Sequence, residues 1–186
     1  MRKLVICKAC GFIMPESRLR DRCPACGVPA KMFEPYQEKM SEKRKEILSL
    51  DIHPILVHFP VAFNFSILVF SVSVFIIKGK ILAQLLATMM ILIYCLPAVI
   101  IAAFLGGLLD GKIRFRRVNT PILVKKIFLG IFFFLISIAM LIVNIFYGIE
   151  NPSGHIYTVV LSAGGVILSV FLGRYGVSLL PAKFPG

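Results

Sequence analysis

Four long apolar runs occupy most of the chain after residue 54. They extend over residues 55–77, 81–109, 122–147 and 156–180. Each contains the roughly 20 residues that a helix needs to cross a hydrocarbon core about 30 Å thick. With 58% hydrophobic and only 16% charged residues, the chain has more apolar side chains than a soluble domain of 186 residues can bury. The sequence therefore predicts an all-α polytopic membrane protein with a four-transmembrane-helix bundle at residues 53–182.

Basic residues flanking the predicted spans indicate the orientation, because cytoplasmic connections are enriched in lysine and arginine. In the two connections on the opposite side, between the first and second spans and between the third and fourth, the only basic residues are Lys78 and Lys80. We expect both termini in the cytoplasm and the protein in the bacterial cytoplasmic (inner) membrane. Most of the basic residues that give the chain its net charge of +12 would then face anionic lipid headgroups. The lipid bilayer rather than nucleic acid is therefore the expected partner. The basic residues expected on the cytoplasmic side are Lys39, Lys43, Arg44, Lys45, Lys112, Arg114, Arg116 and Arg117.

Four cysteines near the amino terminus indicate a second module. Cys7 and Cys10 belong to one Cys-x-x-Cys-Gly sequence, and Cys23 and Cys26 belong to another. The glycine after each pair permits a tight turn, so that two thiolates of one knuckle can meet one metal ion. Four thiolates make a closed tetrahedral site, and these soft ligands favour iron or zinc without choosing between them.

The sequences around these cysteines resemble the rubredoxin-like domains of rubrerythrin-type proteins. Cys-Lys-Ala-Cys-Gly-Phe-Ile begins at Cys7, and Cys-Pro-Ala-Cys-Gly-Val-Pro-Ala-Lys-Met-Phe-Glu begins at Cys23. The resemblance covers about residues 3–36 and implies one iron in the four-cysteine site, with Phe12 and Phe33 beside the metal. A structural zinc ribbon, whose knuckles also contain Cys-Pro-x-Cys-Gly, is the alternative.

We therefore expect a metal domain at residues 1–36, a charged helical linker at 37–52 and the membrane domain at 53–182. The metal domain is too small to bury the apolar surface that independent folding requires. Metal binding should then supply most of its folding free energy.

The segment that opens the first span contains the sequence Asp51-Ile-His-Pro-Ile-Leu-Val-His-Phe-Pro. Pro54 suits a first helical turn, and Asp51 is expected to cap it. The segment resembles a family of uncharacterised four-helix bacterial membrane proteins whose first helix begins His-Pro-x-x-Val-His-Phe-Pro. Asp110 and the sequence Arg174-Tyr-Gly-Val also match. This resemblance covers about residues 51–180 and implies fusion to redox modules without a defined activity.

Ionisable groups within a span are costly unless they face the bundle interior and find partners. Our candidate intramembrane site is therefore His53, His58, Asp110 and Arg174. We expect Asp110 and Arg174 to form an ion pair, with His58 as a hydrogen-bonding or proton-accepting group and quinone as a fitting ligand. In the simpler alternative, Arg174 reaches the headgroups, Asp110 ends a helix and His58 bonds a backbone carbonyl.

Haem b is a further candidate cofactor. The two histidines of the first span, His53 and His58, point about 140° apart around a helix, so they cannot clamp one macrocycle together. The resembling family commonly has a histidine early in the third helix, where this chain has Lys125 and Lys126. Haem would therefore need a second subunit or an unusual ligand.

The leading hypothesis is an electron carrier rather than an enzyme, since no motif for hydrolysis or nucleotide chemistry is present. It would pass electrons between a soluble or membrane redox partner and the membrane module. The alternative is a zinc-ribbon membrane scaffold or regulatory protein without redox activity. Small residues such as Gly106, Gly107, Gly164 and Gly165 predict close helix approach, within one bundle or in a homo-oligomer.

Overall fold

The computed structural model describes residues 3–37, 41–116 and 120–178. Between residues 45 and 46 the chain divides into two compact units. The first unit contains short strands and the cysteine knuckles, and the second contains the long helices.

The amino-terminal unit is built on a three-stranded antiparallel sheet with the order β2-β1-β3. The central strand pairs Val5 with Met14 on one side and Cys7 with Phe33 on the other. Along β1 the side chains alternate between half-buried and buried, as in a strand with one covered face. The strands are β1 (Leu4–Cys7), β2 (Ile13–Pro15) and β3 (Phe33–Tyr36).

This unit has a very small apolar core. Among residues 3–37, only Val5, Cys7 and Cys23 are buried, and two of these three are candidate metal ligands. The interior is thus formed largely by the site itself, which agrees with the expectation that metal binding supports folding.

The second unit contains four long helices, each long and apolar enough to cross a membrane. Only 22–28% of the residues in their most apolar windows are buried, and Phe65, Phe132 and Phe146 are all more than half exposed. Such extensive apolar exposure suits contact with lipid and would be unfavourable in water. The predicted fold class is confirmed. The four long helices are α2 (Ile52–Ser73), α3 (Lys80–Phe115), α4 (Pro121–Tyr147) and α5 (Pro152–Ser178), and a short helix, α1 (Glu42–Leu48), precedes them in the chain.

The ends of these helices differ from the predicted spans. α2 begins at Ile52 rather than 55, because Asp51 adopts a left-handed conformation (φ 48°) and Pro54 fits the first turn, where its missing N–H is not needed. The Asp51 side chain makes no capping hydrogen bond, contrary to expectation. α3 continues beyond residue 109 to Phe115, and the Asp110–Arg114 pair supports this added turn. α2 ends at 73 rather than 77, and α5 begins at 152 rather than 156. The predicted end of the fourth span at residue 180 lies outside the described residues.

The long helices form a closed ring in which α2 packs on α3, α3 on α4, α4 on α5 and α5 on α2. Ile67, Met89, Ile93, Leu96 and Met140 are fully buried at its centre. The bundle therefore has an apolar core of its own, unlike the metal unit.

Several of the predicted small residues permit close helix approach within the bundle. A Cβ on Gly107 would lie 2.9 Å from Cε1 of His53, and one on Gly165 would lie 2.7 Å from Oδ1 of Asn64. These distances are shorter than Cβ contacts allow, so a larger residue at either position would force the His53 ring or the Asn64 amide to move.

Candidate metal centre

The sulfur atoms of the four amino-terminal cysteines lie together, all within 4.8 Å of one another. Sγ of Cys7 is 3.8 Å from Sγ of Cys26, and Sγ of Cys10 is 3.8 Å from Sγ of Cys23. Four sulfurs in a tetrahedron at about 2.3 Å from one ion are separated by about 3.8 Å, whereas disulfide sulfurs are about 2.05 Å apart. The geometry therefore fits four thiolate ligands on one metal ion.

The two knuckles have the same backbone structure. In the first, the N–H of Cys7 donates to the Phe12 carbonyl (2.9 Å), and the N–H of Gly11 donates to the Cys7 carbonyl (2.8 Å). The second knuckle repeats both bonds sixteen residues later, at 2.8 and 2.9 Å. Gly11 and Gly27 both have positive φ, 75° and 77°, which an alanine would adopt only with strain.

Burial divides the ligands in the same way in both knuckles. The first cysteine of each, Cys7 and Cys23, is buried, and the second, Cys10 and Cys26, is exposed. Each of the two sulfur pairs that are 3.8 Å apart joins one buried and one exposed cysteine. One edge of the sulfur cluster therefore reaches the surface of the unit.

Comparison with known families supports this geometry. Residues 6–34 match the family described as rubrerythrin, rubredoxin-like domain. This part of the chain is a rubredoxin-like domain. Neither the comparison with curated proteins nor the comparison with solved structures gave a match. The resemblance of residues 51–180 to a four-helix family therefore stays a prediction.

The thiols of the rubredoxin-like domain differ in acidity. Backbone N–H groups of Cys26 and Ala25, together with neighbouring thiols, outweigh the effect of burial and lower the pKa of Cys23 to about 7. For Cys10, the N–H of Phe12 lowers the pKa, but the thiol of Cys26, burial and the other thiols outweigh it and raise the pKa to about 12. Protons shared among close thiols must leave when a metal binds. The donor set fits iron and zinc equally, since both accept four thiolates.

The candidate site in the bundle is only partly brought together. His53 Nδ1 lies 3.2 Å from the Ala103 carbonyl, and Asp110, Arg114 and Lys126 are close enough to interact with His53 electrostatically. His53 and Asp110 line one cavity of about 10 Å³, which has room for about one water molecule. A haem or a quinone ring does not fit this cavity.

The other two candidates, His58 and Arg174, lie elsewhere. The exposed His58 uses Nδ1 to bond the Pro54 carbonyl of its own helix, at 2.6 Å. Asp110 pairs with Arg114 at 3.3 Å rather than with Arg174, whose side chain is exposed. The structure thus differs from the expected ion pair. The spacing of Asp110 and Arg114, four residues apart on one helix, was a signal in the sequence for the pair that forms.

Proposed function

We propose that this protein is a membrane-anchored electron carrier with one iron in the four-cysteine site of its rubredoxin-like domain. The observation that carries the proposal is the cluster of four sulfurs, spaced for one tetrahedral ion and reaching the surface at Cys10 and Cys26. Iron held by four thiolates changes its oxidation state by one electron, which is the chemistry that this group would supply.

The residues of the domain have distinct roles in this proposal. Cys7 and Cys23 hold the ion from the interior, where water is excluded. The N–H groups that point at Cys23 and Cys10 stabilise negative charge on sulfur, and such bonds tune a reduction potential. The exposed Cys10 and Cys26 form the edge at which a redox partner can approach.

Charge supports an acidic soluble partner. Residues 3–37 contain six basic and three acidic side chains, and all six basic side chains are exposed. Attraction between such a surface and an acidic redox protein speeds association. The four apolar helices would hold the domain at the membrane, with both termini in the cytoplasm of a bacterial cell as the flanking basic residues predict. Within the bilayer, the electron acceptor would be a quinone or a haem bound outside the small cavity beside His53.

The first experiment is metal analysis with a visible spectrum and a redox titration. The full-length protein is purified in detergent after expression with both iron and zinc available. We expect about one iron per chain and a visible absorption that reduction bleaches reversibly. A colourless protein carrying zinc would contradict the proposal and favour the zinc-ribbon scaffold. An intense Soret band would show that the bundle holds haem.

A matched pair of cysteine variants locates the site. Cys26→Ser replaces an exposed ligand and is expected to change the visible spectrum and the potential while the helices remain inserted. Cys95→Ser is the control, because this fifth cysteine lies on α3 outside the sulfur cluster. An unchanged spectrum in Cys26→Ser would exclude the assignment.

A further inference from the structure

The end of the bundle at which α3 and α5 finish and α4 begins carries an excess of positive charge. Residues 110–116, 120–126 and 171–178 contain six basic side chains and one carboxylate. That carboxylate, on Asp110, already pairs with Arg114 at 3.3 Å. The basic residues are Lys112, Arg114, Arg116, Lys125, Lys126 and Arg174. One carboxylate cannot neutralise this set, so the end of the bundle attracts anions.

Two adjacent lysines of α4 place their ammonium groups against one turn of α5. Nζ of the exposed Lys125 lies 5.9 Å from the centroid of the Tyr175 ring, within the range of a cation–π interaction. Nζ of the half-buried Lys126 lies over the next residue, where a Cβ on Gly176 would be 3.9 Å from it. We call Lys125, Lys126, Tyr175 and Gly176 the α4–α5 basic site.

The ammonium group of Lys126 is not neutralised by a close carboxylate. It interacts electrostatically with both Asp110 and Arg114 of α3, and these two charges have opposite signs. Within residues 46–116 and 120–178, no carboxylate oxygen lies within 4 Å of its Nζ. A half-buried cation is stabilised by an anion at hydrogen-bonding distance, and the basic site leaves that position to a ligand.

The depth of the site corresponds to the headgroup region of a bilayer. Lys126 is the sixth residue of α4, about 8 Å along the helix axis from Pro121. Gly176 lies two residues before Ser178, where the described part of α5 ends. Lysine side chains extend towards the headgroups from such positions, and tyrosine is enriched there.

The surface next to the site, towards the centre of the bilayer, is apolar. On α4, Phe128 and Phe132 follow Lys125 by three and seven residues, so the three side chains share one face of the helix. On α5, Phe171 lies one turn before Tyr175. All three phenylalanine rings are exposed. A ligand that matches this surface has a negative group at one end and apolar chains at the other.

These observations select one class of ligand, an anionic phospholipid. Its phosphate oxygens accept hydrogen bonds from ammonium groups, and basic pockets between membrane helices bind anionic headgroups in this way. A zwitterionic headgroup would bring its own cation to a region that already has an excess of them. A soluble phosphate would leave the exposed rings of Phe128, Phe132 and Phe171 without a matching apolar group.

We propose that the α4–α5 basic site binds the phosphate of one anionic phospholipid, whose acyl chains lie along Phe128, Phe132 and Phe171. The phosphate accepts hydrogen bonds from Nζ of Lys125 and of Lys126, and the lipid therefore bridges the first turns of α4 and the last turns of α5. Because the lipid binds the folded bundle, it stabilises the contact between these helices. This binding does not depend on the metal or on electron transfer.

The test is a lipid titration of the full-length protein, delipidated in neutral detergent and observed by native mass spectrometry. Phosphatidylglycerol is compared with phosphatidylcholine, and we expect phosphatidylglycerol to bind more tightly. The double variant Lys125→Gln/Lys126→Gln should lose about thirtyfold in affinity for phosphatidylglycerol, since each lysine beside an anionic headgroup contributes about fivefold. Equal affinity of the wild-type protein for the two lipids would overturn the proposal.

The matched control is the double variant Lys78→Gln/Lys80→Gln. It removes the same charge from two exposed lysines at the opposite end of the bundle, so it should keep wild-type affinity. An equal loss in both double variants would show general attraction to a cationic protein and would refute a site at Lys125 and Lys126. Displacement of the lipid by glycerol phosphate would identify a site for soluble phosphates and would also refute the proposal.

A second measurement uses only the wild-type protein and therefore cannot fail through misfolding. Electron paramagnetic resonance of spin-labelled lipids counts the lipid molecules that the protein holds in a phosphatidylcholine membrane. In about 0.5 M sodium chloride the Debye length is only about 4 Å, so attraction between exposed charges is screened while a half-buried contact persists. We expect about one more immobilised phosphatidylglycerol than phosphatidylcholine per chain under these conditions. Equal numbers would exclude a specific site.

Discussion

The rubredoxin-like domain and the helical bundle bury their interiors in opposite ways. In the domain, only Val5, Cys7 and Cys23 are buried among residues 3–37, so the ligands are themselves the interior. In the bundle, fully buried side chains such as Ile67 and Met140 form an apolar core, while the outer faces remain apolar for lipid. Metal removal and packing changes should therefore act on separate parts of the chain.

Loss of a buried ligand should have the largest effect. Cys7→Ser changes one of the three side chains buried among residues 3–37 and removes one metal ligand, and a structural zinc site contributes about 10–16 kcal/mol to folding. We expect limited proteolysis to cut within residues 3–37, while far-UV circular dichroism still reports the helices of the bundle. Cys95→Ser is the control. A metal-free domain that resists proteolysis would show that its fold does not depend on the ligands.

The second-largest effect is expected from acid, which should weaken metal binding to the rubredoxin-like domain without changing the helical bundle. Metal uptake displaces thiol protons, so affinity falls as pH falls. Below pH 7 the Cys23 thiol, whose pKa is lowered to about 7, is protonated as well. One further proton is then released per metal, and the slope of log affinity against pH should steepen by about one. Competition titrations between pH 5.5 and 8.5 measure this slope, and a constant slope would contradict the role of Cys23.

Within the bundle, Gly165→Ala should destabilise the α2–α5 contact. The new Cβ would lie 2.7 Å from Oδ1 and 2.9 Å from Cγ of Asn64, so the amide must leave its bond to Ser162. Overpacking of this kind costs about 1–3 kcal/mol. Gly164→Ala is the neighbouring control, because its Cβ would meet only Ile136 Cδ1 at 3.6 Å. Unfolding in mixed detergent micelles compares the two variants, and equal stability would refute the close contact.

The smallest effect is expected from a strained turn in the second knuckle. Gly27 has φ 77°, and the space that a Cβ would occupy there is open, so Gly27→Ala tests backbone strain without a clash. The left-handed conformation costs about 1–2 kcal/mol for alanine, which is about a tenfold loss of metal affinity. Gly27→Asn should lose less, since asparagine tolerates this conformation better. An alanine variant with wild-type affinity would show that the turn relaxes.

The sequence predicted the fold well because its strongest signals are local. Apolar length identifies a membrane helix without reference to any other helix, and the spacing of Cys7 to Cys10 and of Cys23 to Cys26 identifies each knuckle. The rubredoxin-like domain and the four long helices are both confirmed.

The bundle site was harder to predict because it depends on how helices rotate against one another. Nothing in the sequence indicates that His53 would face Gly107 or that His155 would bond Ser71. Asp110 pairs with Arg114, four residues away on the same helix. A pair with the predicted partner Arg174 would have required α3 and α5 to bring the two side chains together. Asn64 and Ser71 are seven residues apart, which predicts that they lie on the same face of a helix. Their contacts with α5 depend on how α5 is aligned along α2, and the sequence does not show that alignment.

Each buried sulfur lies beside an exposed one, and this affects how the metal-free protein is oxidised in air. Without metal, an oxidant can reach Cys10 or Cys26 first, and the resulting sulfenic acid lies beside the buried thiol of Cys23 or Cys7. Condensation of the sulfenic acid with that thiol would release water and form a disulfide between the two knuckles. The oxidised sulfurs could then no longer bind a metal ion. Preparations exposed to oxygen before loading should therefore lose metal capacity permanently unless a reductant is present, which makes the order of metal addition and aeration decisive for any reconstitution.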